Sequence, residues 1–363
     1  MNYDRIIAYA LNTPWAIRPD ALGAILDVVR FRAAGGKYTD EELVERLEAA
    51  RAQNGERAGG RTRGSVAVVP LYGPIFPKAN LFTELSGATS LSTFAATLRK
   101  LDADDQISQI VIDVDSPGGS VELVPETAEL IRGLKTPTVA VANTEAASAA
   151  YWLAAQADEL VVTPSGAVGS IGVWAAHEDW SVHDANLGVR TTLISAGKYK
   201  VEGNPFGPLD DEARAAIQAD VDAYYGMFVD AVAEGRRVPP QEVRDGFGQG
   251  RMVLAHAAVR MGMADRVATL DPVVADATDG IRRGRNLLGS RGEPVEPAEW
   301  DVTVDAPTAD AADGPGAAPE TETPAAEWLR LLSRPKVREM FAPSGDDSKV
   351  PALAGGETRK EEQ

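Results

Sequence analysis

Between Ser65 and about Ala275, short β-branched runs alternate with helical stretches, and no other feature of the chain restricts its fold as much. The runs are VAVVPLYG, ISQIVIDVD, TVAVAN, ELVVTP, GSIGVW and RTTLISA. Most are separated by helical patterns, among them VELVPETAELIRGL, ASAAYWLAAQ and the long LDDEARAAIQADVDAYYGMFVDAVAEGR. Apolar runs of this length, spaced by helices, read as strands covered on both faces and joined by crossovers. Residues 65–275 are therefore predicted to form one α/β domain of catalytic size.

The flanks read differently. Residues 1–64 are predicted to be a helical N-terminal extension, with Thr39 and Glu42 as a capping box and Trp15, Ile17, Leu22, Ile25 and Val28 as an apolar face. That face docks on the main domain or reaches a partner subunit. Residues 276–363 are rich in Pro, Ala and acids, the composition of a disordered acidic tail, linker-like or scaffold-like. Within it AAEWLRLLSRPKVREMF is either a weak helix, interrupted at Pro335, or a partner-binding motif.

Charge and composition remove several function classes. A net charge of -18 with no segregated basic face argues against nucleic acid as a partner. The absence of Cys removes disulfides, thiolate metal sites and thiol catalysis. The first residues lack the pattern of a secretory signal, and no apolar run approaches the roughly 20 residues of a membrane span, so neither export nor a membrane anchor is expected. A cytoplasmic protein without metal or cofactor is the expectation.

Three short motifs carry chemistry. DVDSPGGS, Asp113 to Ser120, ends a strand in glycines whose bare amides can face a ligand oxygen. Ser148 opens the small-residue helix AASAAYWLA, where a hydroxyl is either helix packing or a nucleophile at a helix start. SAGKYKVEGNPFGPL holds Lys198 and Lys200, either of which can act as a base only if desolvation lowers its pKa from about 10.4. Amide donors, a serine and a buried lysine make an acyl-transfer site without histidine. His177 and His183 lie in what reads as an exposed acidic helix, which disfavours a Ser-His-Asp triad, and His256 adds no metal-ligand spacing.

In their order and spacing, DVDSPGGS, AASAAYWLA, GAVGSIGV and GKYKVEGNPF resemble the signal peptide peptidase A-type serine peptidases. The likeness is strongest to their bacteriophage head-maturation (capsid assembly protease C) branch. It covers about residues 65–275, with Tyr199 where that branch usually has His.

The resemblance implies a Clp protease/crotonase-type spiral fold and a Ser-Lys dyad. Ser148 would be the nucleophile, Lys200 the base and Ser170 the group orienting the lysine. Gly118 and Ala149 would supply the oxyanion hole, and Gly119 and Val121 the wall of a groove for an extended peptide. Implied partners are capsid and scaffold proteins, the chain itself, a homo-oligomer and the portal or capsid shell. The setting would be host cytoplasm, or the prohead interior for a phage-encoded chain. Competing expectations are a host signal-peptide-peptidase-like enzyme, a crotonase-like acyl-CoA binder and a catalytically silent scaffold.

Overall fold

The computed structural model describes residues 14–23, 61–78 and 88–282. In chain order the first strands are β1 (Trp15–Ile17), β2 (Arg61–Arg63), β3 (Val66–Tyr72), β4 (Ile75–Phe76) and β5 (Thr89–Ser90). There follow α1 (Leu91–Asp102), β6 (Gln109–Ser116), β7 (Gly118–Ser120), α2 (Val124–Arg132), β8 (Thr138–Ala147) and α3 (Ala149–Ala154). Next come β9 (Glu159–Val162), β10 (Ala167–Gly169), α4 (Ser181–Asn186), α5 (Asp211–Arg236) and α6 (Pro240–Gly246). The series ends with β11 (Met252–Leu254), α7 (Ala255–Arg260), β12 (Arg266–Val267) and α8 (Leu270–Arg282).

The larger sheet runs β11-β10-β8-β6-β3-β2, with β9 also on β8 and β12 on β9. Its core, β3, β6, β8 and β10, is parallel, as helix-linked strands require. Side chains alternate between two buried layers. Ile110, Ile112, Val114, Ala140 and Ala142 face the layer of α1, α2, α3 and α5. Val66, Val111, Val139, Val141 and Val161 face Val273, Val274 and Ala277 of α8. The near-continuous apolar strands of the sequence thus have a helix layer on each side.

Strand β8 turns this sheet into a spiral. On one edge it pairs with β6; on the other, Val139–Ala142 pair with β9 and Glu145–Ala147 pair with β10. The register against β6 shifts between Val114 and Ser116, where Ala142 and Ala146 are the successive partners. The bulge carries Thr144 and Glu145 outward and delivers the chain to Ser148 at the sheet's end. A second sheet, β1-β7-β4-β5, stands beside that end.

Three expectations need correction. Residues 15–17 form a strand rather than a helix, and helix is found at residues 19–23, started by Pro19, whose fixed φ suits a first helical position. GSIGVW is not a continuous strand: β10 stops at Gly169 because Ser170 turns at φ 54°, and pairing resumes as a single bridge at Trp174. RTTLISA forms no strand; residues 190–196 are exposed and no neighbouring strand offers them hydrogen bonds. The last helix runs to Arg282. Ile25, Val28, the Thr39–Glu42 capping box and the acidic tail lie outside the described residues.

One buried ion pair ties the end of α5 to the sheet. Arg236, 5% exposed, donates through both terminal nitrogens to Asp265 at 2.9 and 2.7 Å, and through Nε to Gly262 O at 3.0 Å. Asp265 also accepts from Leu160 N of β9 at 2.7 Å. Beside the pair, Tyr151 donates to Met263 O at 2.9 Å, and burial pushes its phenol well above the usual tyrosine range. Removing one partner leaves a buried, uncompensated charge. Arg236→Ala should cost about 3–5 kcal/mol, measured as a fall in the urea midpoint at unchanged slope.

Candidate active site

Strand β8 ends at Ala147 and α3 begins at Ala149, so Ser148 alone makes the turn between them. Its dihedrals, φ 55° and ψ -121°, belong to the first central position of a type II′ turn, where glycine is the usual residue. A serine held there is strained by about 1–3 kcal/mol. The surroundings enforce it: Ser148 N donates to Gly169 O at 2.7 Å, and Ser148 O accepts from Trp152 N at 3.0 Å. The residue is 1% exposed and its Oγ reaches Gly172 O at 3.5 Å, a contact too long to hold the hydroxyl firmly. Every residue of α3 is buried, with Trp152 stacked on Phe228 of α5 at 4.6 Å between ring centroids. The turn therefore rests on a rigid helix.

Gly118 lies directly against it. A Cβ on Gly118 would stand 2.9 Å from Ser148 Cβ, 2.9 Å from Ala147 O and 2.2 Å from Ala16 O, and its φ of 94° suits glycine alone. Gly119 is equally constrained, since a Cβ there would lie 1.9 Å from Ile75 O of β4. The SPGGS turn thus lets its main chain approach Ser148 closely. In this arrangement Gly118 N donates to Ser116 Oγ at 3.2 Å, and Ser116 Oγ donates to Gly73 O at 2.6 Å. Ala149 N starts α3 on the other side of the serine. Val121 is fully buried in the main core, so it offers a groove only its backbone.

The structure brings together Ser148, Gly118, Gly119 and Ala149, with Ser170 close by: Ser148 pairs with Gly169, and Ser170 N donates to Arg251 O at 2.9 Å. It does not bring Lys200 to them. Lys200 is exposed within the turn after Gly197, and among the described residues neither Ser148 nor Ser170 hydrogen-bonds it. Lys198 is also exposed and pairs with Glu212 at 2.6 Å and Tyr199 at 2.7 Å, which hold its amine protonated. His183 pairs with its neighbour Asp184 on exposed α4, and His177 lies before α4 with Nε2 against Asn204 O. Neither joins Ser148. Among the described residues no group of three or more acidic or histidine side chains could hold a metal ion.

A segment outside the four motifs lies against the site. β1 pairs antiparallel with β7, Ile17 opposite Gly118 and Trp15 opposite Ser120, and so lies along the glycine turn. The signal available in the sequence was the alternation Trp15-Ala16-Ile17 followed by Pro19, which breaks helical periodicity. The strain at residue 148 has a measurable sign. Ser148→Gly should raise stability by about 1 kcal/mol or more, because glycine adopts these dihedrals freely, and calorimetry should show a higher Tm.

Comparison with known proteins agrees with this geometry. The model of peptidase family S49 matches residues 132–282, and the Clp protease model matches residues 77–165. The chain is 29% identical over 294 residues to capsid assembly protease C of Escherichia phage lambda, covering 77% of this chain and 66% of that one. It is 34% identical over 251 residues to the head-tail preconnector protein GP5 of Enterobacteria phage P21, covering 64% of this chain and 49% of that one. Protease 4 of Haemophilus influenzae is 26% identical over 188 residues, 51% of this chain and 30% of that one. The chain thus spans between about half and two thirds of the two phage relatives. The residues similar to peptidase family S49 and to the Clp proteases together include Ser148 and the SPGG turn that lies against it.

Proposed function

We propose that the chain is a serine endopeptidase that processes capsid and scaffold proteins, itself included, during phage head maturation. The observation that carries the chemistry is the strained, buried Ser148 set against Gly118. A packing serine has no need of glycine-like dihedrals, whereas a nucleophile gains by being lifted out of its strand on a sharp turn toward amide donors. Peptides would react as follows. A neutral Lys200 amine takes the Ser148 proton as Oγ bonds to the peptide carbonyl carbon. The oxyanion is held by the N–H groups of Gly118 and Ala149, each worth about 3–4 kcal/mol in such sites. Collapse breaks the C–N bond, the lysine returns the proton to the leaving amine, and water repeats the sequence on the acyl-enzyme. Ser170 positions the lysine. Gly118 N becomes available once it releases Ser116 Oγ.

Exposure of Lys200 in the single chain bears on how the site is completed. A lysine acts as a base only through its neutral amine, a form that burial favours. The segment around it carries Val182, Leu187, Val189, Ile194 and Phe206, all exposed, Ile194 at 95%. The first half of α5 is mostly exposed as well, its buried residues lying chiefly beyond Phe228. Such an apolar surface fits a homo-oligomer in which neighbouring copies cover residues 182–206 and desolvate Lys200. No described helix is long and apolar enough to cross a membrane. The phage lambda relative matches 77% of the chain, against 51% and 60% for two Protease 4 relatives, which favours head maturation over a host signal-peptide-peptidase role. The portal and the capsid shell are the proposed surroundings, in host cytoplasm or inside the prohead.

Two experiments test this. Ser148→Ala and Lys200→Ala should each lower cleavage of internally quenched peptides by on the order of 10⁴-fold with the fold intact, and intact mass of the chain co-expressed with the capsid protein should show processing only in the wild type. Persistent cleavage by Ser148→Ala refutes the nucleophile. Ile194→Asp should shift sedimentation velocity to smaller species and lower cleavage along with assembly; an unchanged oligomer refutes the covering of this face.

A further inference from the structure

A peptide cut by Ser148 would lie along a backbone edge beside that residue, and β7 is such an edge, since a Cβ on Gly118 would stand only 2.9 Å from Ser148 Cβ. One edge of β7 is paired with β4; the other is occupied by the chain's own β1. Residues 14–18 make hydrogen bonds on both sides, as a strand inserted in a slot does. Toward β7, Arg18 N donates to Pro117 O at 3.0 Å and Val121 N donates to Pro14 O at 3.5 Å. Toward the opposite wall, Trp15 N donates to Trp174 O at 2.8 Å, Trp174 N returns to Trp15 O at 3.0 Å, and Trp174 Nε1 donates to Ile17 O at 3.0 Å. The strand runs from Ser120 toward Gly118, so it approaches the serine with its C-terminal end, as the acyl side of a cleavable peptide would. Ala16 O and Ser148 Cβ crowd the same point beside Gly118.

From this geometry we infer that Pro14–Arg18 is a resident occupant of the peptide slot, holding the site closed in cis, and that it shows which peptides the slot takes. Trp15 and Ile17 enter an apolar pocket with Phe76, Leu22 and Trp174, Trp15 meeting Phe76 edge-on at 6.1 Å. Ala16 turns the other way, into the main core. The pattern accepted is large apolar, small, β-branched. Arg18 tethers the strand to β8 by an ion pair with Glu145, three residues before the serine. The fit is incomplete: Ser120 Oγ, fully buried on β7, has no partner among the described residues, which leaves the occupant displaceable by a competing extended chain.

The inference rests on the peptidase reading for its effect on rate but not for its effect on binding, and the two can be separated. Ala16→Pro removes a strand N–H and should free the slot. A fluorescent peptide of residues 12–20, NTPWAIRPD, is titrated by polarisation into full-length Ser148→Ala with and without Ala16→Pro. Binding at least about tenfold tighter when β1 is released is expected, because a slot open only part of the time weakens apparent affinity in proportion. In a chain with Ser148 intact, Ala16→Pro should raise kcat/KM for short peptides by a similar factor. Should Ala16→Pro unfold, Arg18→Ala, which cuts only the tether, gives the same two readouts. Equal binding to both chains, or to neither, overturns the inference. The expected binding difference without cleavage by any variant keeps it and refutes the peptidase reading instead.

Discussion

Around Ser148 the main chain of three separate segments comes closer than any side chain would permit. Ala147, Gly118 and Ala16 meet at one point, and a single methyl on Gly118 would clash with backbone oxygens of two of them. Everything near the hydroxyl follows from that crowding. Alanines in α3 bring the helix against the sheet, the bulge in β8 aims the chain at the turn, and the dihedrals of residue 148 are the ones left when its neighbours are fixed. The strain is sustained by burial: α3 is locked between Phe228, Met263 and the sheet, so relaxing one torsion would disturb a fully packed helix.

Much of this was legible in the sequence. The runs at Val66, Gln109, Thr138 and Glu159 became strands because each is apolar on both faces and finds a helix layer on each side. The helices at Val124, Ala149 and Asp211 also stand where periodicity put them. What failed did so for tertiary reasons. RTTLISA has strand propensity but no partner edge, and propensity alone does not pair a strand. Residues 15–17 look like part of an apolar helix face until β7 and Trp174 supply hydrogen bonds on both sides. Those partners are about 100 and 160 residues away, beyond the reach of local pattern.

The candidate site divides along the same line. Ser148 and the SPGG turn were visible as residues, and the structure adds the contact between them. Lys200 was visible too, yet its environment was not, because desolvation depends on what covers a surface rather than on neighbouring sequence. Ser148 is buried and held by its neighbours, while Lys200 stands exposed. On the proposed reading, the exposed apolar segment on both sides of the lysine is where neighbouring copies would cover it.

The position of β1 also bears on how the molecule comes to be folded. Among the described strands it is the earliest in the chain, but its seat is built from residues 118–120 and 174. During synthesis it emerges long before that seat exists, and closing so long a loop is slow compared with pairing neighbours along the sheet. Among the described strands the earliest in the chain thus waits for its seat until residue 174 has been made. Until then the edge of β7 that β1 covers is without this partner.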